Sequence, residues 1–356
     1  MAYLYVDNMA NTKSMSILLS EDFLKIVEGV YFEGKWQLNS LALQNTDIDI
    51  FSSSNPNIIK QLANLLSNLV SSANMNKSDV TLILPDSQSY SKIMKMPFLT
   101  EKEMIAAIRY QADQFIPIPI DQISLDIEIL SENKQSKEIQ ILLVAASSLT
   151  IQIIAEIIDK AGLNLTSVET ETSSALRLIN NVNTTYKSLH PQFEPIPAYF
   201  INIGTRSTTM ILYDTQNDIP LLTHNIALGY NLFIKDLMLN NPGLDKNKAA
   251  ELLVQIGLDK SKAASSLSQA AYRAWLIEIV KHYQQDLVAF PQKNVPRWYI
   301  FGDGVRIKHL SENLSTDLKL PVENLIMDGY IDFGGKLPAQ INWQYLVTTL
   351  GGLLNL

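Results

Sequence analysis

The chain has no cysteine. That removes disulfides, thiolate metal sites and cysteine nucleophiles together, and it fits a protein of the cytosol. Histidine is scarce, with four residues in 356. His190, His224, His282 and His309 form no i, i+4 pair, so structural or surface roles are expected rather than zinc binding or catalysis. Basic charge is also short: the net charge is −8, and no domain-wide basic surface for nucleic acid is expected. No run of 18 apolar residues occurs, so no transmembrane helix is expected. The opening MAYLYVDNMANTKS lacks the basic and apolar regions of a signal peptide. There is no Gly-x-Ser-x-Gly elbow and no Walker-type Gly-Lys-Ser.

What the chain does contain is ample apolar material, 47% of its residues, and length enough for two domains. Its most informative stretch is AYFINIGTRSTTMILYD, residues 198–214. It reads as strand, hydroxyl-rich glycine turn, strand. Such a turn aims N–H groups and hydroxyls at one point, which suits an anion such as phosphate. Taken alone it is equally an ordinary β-hairpin.

Periodicity supplies the rest of the framework. Strands are expected at SMSILLS, FLKIVEGV and 35–43, then a helix over 55–72 opened by Asn55-Pro56. A second unit, 79–170, reads β-β-α-β-β-α-β. Its first helix opens with a Thr100/Glu103 capping box and carries Met104, Ile105, Ile108, Ala112 and Phe115 on one face. Pro117 and Pro119 end it. Its second helix, 149–161, is closed by Gly162. A helix over 171–181 and a proline-bearing connector over 186–197 follow. After the hairpin come a strand at 221–226, helices over 232–239, 246–256 and 267–290, a strand at 297–301 running into Gly302-Asp303-Gly304, and helices over 309–317 and 343–353. Both halves thus repeat three meandering strands followed by helix, strand and helix. That duplication is the layout of the actin-like ATPase fold, in which ligands sit in the crevice at strand ends.

EKEMIAAIRYQADQFIPIPIDQISLDIEIL (101–130) resembles a signature of PilM, the actin-like family of type IV pilus assembly. The matching residues are Ile108, Arg109, Ile116, Pro117, Ile118, Pro119, Asp121 and Asp126. Over 142–178, Ala145, Ala161, Gly162, Leu163, Val168, Glu169, Glu171 and Ala175 match a second family stretch. NIGTRSTTMILYD resembles the family's second phosphate loop, HNIALGYN the strand and glycine turn after it, FGDGVRIKHLSENLSTDLKLPVENL the adenosine motif, and LVTTLGGLL the closing helix. The resemblance runs in order over nearly the whole chain.

It implies an α/β, actin-like (ribonuclease H-like) fold of two lobes with an α+β insert in the first. The expected divisions are 14–78 for the first lobe, 79–170 for an SHS2-like insert, 171–197 for the rest of the first lobe and a connector, 198–339 for the second lobe, and 340–356 for a closing helix returning to the first. Residues implied at a nucleotide are Gly204, Thr205, Ser207, Thr208, Gly229, Gly302, Asp303, Gly304, Lys25 and Glu171. No metal ligand or catalytic residue is assigned. Glu169 and Glu171 read either as remnants of such contacts or, slightly ahead, as a solvated strand end.

The chain departs from the family in its first phosphate loop. Aligned on Lys25, the family aspartate is Leu18 and the glycine is Ser20, while Glu21 and Asp22 bring negative charge where a phosphate would sit. The aspartate of the second hairpin is Asn202. ATP with Mg²⁺ is therefore expected to bind weakly or not at all, without efficient hydrolysis. The implied function is a cytoplasmic scaffold peripheral to the inner membrane. It would bind the N-terminal cytoplasmic tail of a bitopic PilN-like protein in a groove between the first lobe and the insert, together with other pilus platform proteins, and would contact membrane only through partners. Alternatives are an active ATPase of the same fold, an actin-like part of another secretion or cell-division machine, and a sugar kinase. The chain's last residues, LGGLLNL, sit in a core-like helix, which weighs against a division tether. No membrane span follows, which weighs against a secretion platform subunit. No kinase-type catalytic motif is visible.

Overall fold

Glu33 and Gly34 both adopt positive φ, 50° and 79°, and the chain reverses there between β2 (Phe23–Phe32) and β3 (Lys35–Asn45). Two left-handed residues in a row make the turn whose twist matches paired antiparallel strands. With β1 (Ser14–Leu19) ahead of them, the three form an antiparallel meander in which Leu18 lies opposite Lys25. The structure is a computed structural model. It describes residues 14–354 apart from 47, 49–50, 52–54, 76–78, 112–115, 117, 190–196, 260, 262–267, 291–294, 296, 326–328 and 333–341. Ala112, Phe115, Pro117 and most of the expected connector therefore lie outside the described residues.

The helix α1 (Pro56–Ser72) starts where the sequence signals it, with the Asn55 side chain accepting from Asn57 N. The chain then enters β4 (Asp79–Leu84), which pairs parallel to β1. Much later β8 (Asn164–Thr170) pairs parallel to β4. The helix between them, α3 (Ser148–Lys160), buries Ile154, Ile157 and Ile158 against Ile59, Leu62 and Leu66 of α1 and against Met15, Ile17 and Leu19 of the sheet.

The second half repeats this plan. β9 (Ala198–Ile203), β10 (Thr208–Asp214) and β11 (Ile219–Ile226) form an antiparallel meander, β12 (Arg297–Gly302) pairs parallel to β9, and β13 (Val322–Asn324) pairs parallel to β12. Strand order is β3-β2-β1-β4-β8 in one sheet and β11-β10-β9-β12-β13 in the other. Short hairpins force the first three strands antiparallel, and helical crossovers allow the last two to be parallel. In the second lobe α5 (Tyr230–Asn240), α6 (Lys246–Gln255) and α7 (Gln269–Ala289) supply the crossover, burying Phe233, Trp275 and Ile279 on Tyr199 and Trp298. The helix α8 (Leu310–Leu318) precedes β13.

The insert is smaller than its expected span of 79–170. Only β5 (Ser89–Pro97), β6 (Ile123–Asn133) and β7 (Glu138–Ser147) form a separate sheet, ordered β5-β7-β6. Its cover is α2 (Glu101–Gln111), opened by the Thr100/Glu103 capping box and burying Met104 and Ile108 on Ile139, Ile141 and Leu143. β4 and β8 belong to the first-lobe sheet instead. The physical reason is in β4: Val80 to Leu84 are all at most 2% exposed, which requires cover on both faces and a strand on each side. Likewise β14 (Ile331–Asp332), within the span expected for the second lobe, pairs with β3.

A third cluster joins the lobes. α4 (Glu171–Leu189) and α9 (Val347–Gly352) pack together between the sheets, with Ala175, Ile179, Leu346 and Leu350 touching Trp36, Val27, Phe200, Ile211 and Phe301. The approach is so close that a Cβ on Gly351 would lie 2.0 Å from the Ser174 carbonyl oxygen. Trp36 Nε1 donates to Leu350 O at 3.0 Å.

Candidate functional site

The β1–β2 turn and the β9–β10 turn occupy matching places in the two sheets, and they meet between the lobes. In the second turn Gly204 N donates to Ser207 O, while Tyr230 N and Asn231 N at the start of α5 donate to Gly204 O and Thr205 O, all at 2.9 Å. The first N–H groups of a helix lack partners within it, and here the turn's carbonyls take them. Gly229, the N-cap of α5, lies so close that a Cβ would be 2.5 Å from Gly204 O.

In the first turn, Ser20 N donates to Phe23 O at 2.9 Å and Ser20 Oγ accepts from Phe23 N at 3.1 Å. Glu21 is 1% exposed. Its Oε1 accepts from Ser87 Oγ and from Gln88 Nε2, and lies 3.9 Å from Arg206 Nε of the opposite turn. Asp22 accepts from Asn231 Nδ2 and pairs with Lys246 Nζ at 2.6 Å.

Where β12 ends, Gly302 has φ +86° and a Cβ there would meet Asn202 Oδ1 at 2.3 Å, so only glycine fits. Gly304 lies equally close to the Ile203 side chain. Between them Asp303, 2% exposed, receives two donors. Lys25 Nζ reaches its Oδ1 at 2.6 Å from the first lobe, and Thr205 Oγ1 its Oδ2 at 2.6 Å from the second turn. Thr205 Oγ1 is also 3.3 Å from Ser20 Oγ. Lys25 Nζ donates further to Tyr345 O at 3.3 Å and sits 3.6 Å above the Tyr345 ring. Arg306 lies 5.4–5.5 Å from the ring centres of Phe23, Tyr230 and Tyr345. Burial pushes the Tyr230 phenol up to about 12.

Behind the turns two carboxyls adjoin. Asp86, at the end of β4, accepts from Thr172 N, from Thr172 Oγ1 at 2.9 Å and from Thr209 Oγ1 at 2.6 Å. Its own N–H donates to Glu171 Oε2 at 3.2 Å. Burial, then the charge of Asp86, raises Glu171 to about 8, with Lys25 opposing. Burial also raises Asp86, against its threonine hydrogen bonds. Burial and the neighbouring carboxyl therefore favour the protonated form of Glu171. The solvated reading of Glu169 and Glu171 gives way: Glu171 is 5% exposed, and Glu169, 9% exposed, pairs with Arg177 at 2.8 Å. The strand end that carries them runs directly into α4 and is met by Asp86 from the end of β4, which no local pattern reveals.

Of the residues named from the sequence, Lys25, Glu171, Gly204, Thr205, Ser207, Gly229, Gly302, Asp303 and Gly304 come together here, all buried. Thr208 does not join them. Its hydroxyl donates to Leu228 O at 2.7 Å and accepts from Trp275 Nε1 at 2.8 Å, within the second lobe. Asp86, Arg206, Asn231, Lys246, Arg306 and Tyr345 went unnamed. Asp86 carried a signal, a polar residue directly after the buried strand DVTLILP, at the strand end where crevices open. Arg206, Asn231 and Arg306 lay within the family-like turn stretches without residue type singling them out, and Lys246 and Tyr345 carried no signal. The scattered histidines also partly converge: His224 Nε2 lies 2.7 Å from Asp286 Oδ1, which shares its carboxylate with Tyr199 OH, and the His224 ring is 4.5 Å from that of His282. Burial lowers His282. Among the described residues no group of three His, Asp or Glu side chains is placed to hold a metal ion.

Two lobes built on one repeated sheet, with paired turns facing each other across the junction, define an actin-like ATPase fold. Solved structures agree. EutJ, the ethanolamine utilization protein from Carboxydothermus hydrogenoformans, matches at 12% identity over 98% of this chain and 92% of its own, with a TM-score of 0.54. MreB 5 of Spiroplasma citri, bound to AMPPNP, matches at 11% identity over 97% and 96%, with a TM-score of 0.53. A chain of the PilM–PilN type IV pilus biogenesis complex matches at 20% identity over 96% and 98%, with a TM-score of 0.77. The model of the family described as type IV pilus assembly protein PilM matches residues 17–326. The chain belongs to that family.

Proposed function

We propose that this protein is a cytoplasmic scaffold of type IV pilus assembly whose work is binding rather than ATP turnover. The observation that carries the reading is the buried Lys25–Asp303 pair, joined to Thr205 and Ser20, at the crossing where two phosphate loops would clamp a nucleotide. A polyphosphate entering there would meet Glu21 and Asp22. Two like unit charges 4 Å apart repel by about 4 kcal/mol at an effective dielectric near 20. The close-packed glycines need no nucleotide to explain them, since each one admits a neighbouring backbone or side chain. The residues present do not fit ATP with Mg²⁺.

The partner in this reading is the N-terminal cytoplasmic tail of a PilN-like inner-membrane protein, with other platform proteins beyond it. A PilM–PilN complex among the structural matches supports it. Among the described residues no helix is long and apolar enough to cross a membrane, so membrane contact in this reading comes through the partner. The tail would lie at the junction of the first lobe and the insert. Leu130 of β6 and Leu41 of β3 both pack against the cluster that joins the lobes, Leu43 is 42% exposed, and β6 is an edge strand of its sheet. An extended segment adding beside β6 would gain main-chain hydrogen bonds and side-chain pockets together.

The experiment is titration of the protein with synthetic N-terminal tails of neighbouring membrane proteins, followed by fluorescence polarisation, alongside calorimetry with Mg²⁺-ATP. Saturable tail binding with no ATP heat supports the reading. Submicromolar ATP binding with turnover would replace it with an ATPase, a reading that the AMPPNP-bound MreB relative keeps in view. Leu43→Asp is expected to change stability by no more than about 0.5 kcal/mol, as an exposed site, and to weaken tail binding at least about tenfold, or about 1.4 kcal/mol. Unchanged tail affinity would move the groove elsewhere.

A further inference from the structure

We infer that the β1–β2 turn, Ser20-Glu21-Asp22, is an intramolecular ligand that holds the two lobes closed in place of a bound polyphosphate. The inference rests on the scaffold reading above and adds how the cleft is kept shut.

The turn projects from the first lobe, yet Asp22 is held from the second, and Glu21, hydrogen-bonded through Oε1 on its own side and with Oε2 buried and unpartnered, has a second-lobe cation beside it. Asp22 is held by Lys246 Nζ at 2.6 Å and by Asn231 Nδ2. Lys246 is the first residue of α6 and Asn231 the second of α5, so both groups stand at helix N-termini, where negative charge is favoured. Glu21 has Arg206 of the opposite phosphate-loop turn 3.9 Å from its Oε1, while Ser87 and Gln88 fix that oxygen from the first-lobe side. Lys25, four residues on, crosses in the opposite sense to Asp303. Three ion pairs thus run from one hairpin into the other lobe, at three separate places in its sequence. Each acid thus has a cation of the second lobe beside it. The acids that make the first loop unsuitable for phosphate are what the second lobe's cations bind.

Lys25 and Asp303 have side chains only 2% and 3% exposed. Such a pair is stable only while both partners are present. Closure is then a property of the chain and not of a ligand concentration.

The test uses the whole chain and the isosteric pair Glu21→Gln with Asp22→Asn, which removes charge but keeps shape. Hydrogen exchange of residues 20–24 and 204–207 is read with and without 2 mM Mg²⁺-ATP, an excess at roughly physiological level. In the unaltered protein, exchange at both turns is expected to be slow and unmoved by ATP. In the variant it is expected to be about tenfold faster or more and to be slowed again by ATP. Lys246→Met, which breaks the contact from the other lobe, is expected to act in the same direction at residues 20–24 and gives a second route if the pair fails to fold. Exchange at the turns no faster in either variant overturns the inference, as does slowing by ATP in the unaltered protein. Failure of tail binding would strike the scaffold reading while leaving the exchange result standing.

Discussion

The two hairpin turns occupy equivalent places in equivalent sheets and have opposite characters. Ser20-Glu21-Asp22 is acidic and buried; Gly204-Thr205-Arg206-Ser207 is hydroxyl-rich and carries a cation. A symmetric clamp would have two turns of the second kind, both aimed at a guest. Here one turn has become complementary to the other lobe. The repeated sheet supplies the matching geometry, and the difference in charge makes the two turns partners in one contact.

The largest effect should come from breaking that contact on one side only. Lys25→Met leaves Asp303 buried without its cation, and denaturant unfolding is expected to show a loss of about 3–5 kcal/mol. Adding Asp303→Asn should recover part of it, because the unpaired charge then disappears. A double variant no more stable than the single one would mean that Lys25 acts through Tyr345 rather than Asp303.

A smaller loss is expected at the second turn. Thr205→Val removes the hydroxyl donor to Asp303 and should cost about 1.5–3 kcal/mol by the same measurement, as for a hydrogen bond to a charged group. If the turns were independent hairpins, this substitution would add to Lys25→Met. Because both act on Asp303, the double variant should lose less than the sum.

The remaining effect is a pH dependence. Glu171 holds a proton in the folded chain up to about pH 8 that the unfolded chain releases near the ordinary glutamate value. Its protonated form stabilises fully below the unfolded value, and that contribution is lost as pH rises through about 8. Glu171→Gln mimics the protonated group. Its melting temperature relative to the unaltered protein should therefore climb between pH 5 and pH 9. Parallel curves would show that the Asp86–Glu171 pair carries no shared proton.

Much of the fold was legible because its signals are local. Asn55-Pro56 opening α1, the capping box at Thr100 and the strand periodicity of 198–214 all appear as expected. The membership of β4 and β8 was not legible, because Asp79 pairs with Asn164, and no pattern within either strand names so distant a neighbour. At the junction, the glycine turns were legible as tight turns at strand ends, since glycine there marks a close backbone approach. The burial of Glu169 and Glu171 was not, because the groups around Glu171, Asp86, Lys25 and Gly204, come from distant parts of the chain.

By itself the sequence determined the repeated order of elements, the family, and the acidic character of Ser20-Glu21-Asp22. These are matters of periodicity and residue type, which need no partner to be read. Only the tertiary structure decided what those acids do. Their partners, Arg206, Asn231 and Lys246, lie about half the chain away, and whether a carboxylate repels a guest or grips a neighbouring lobe depends on which cation folding brings beside it.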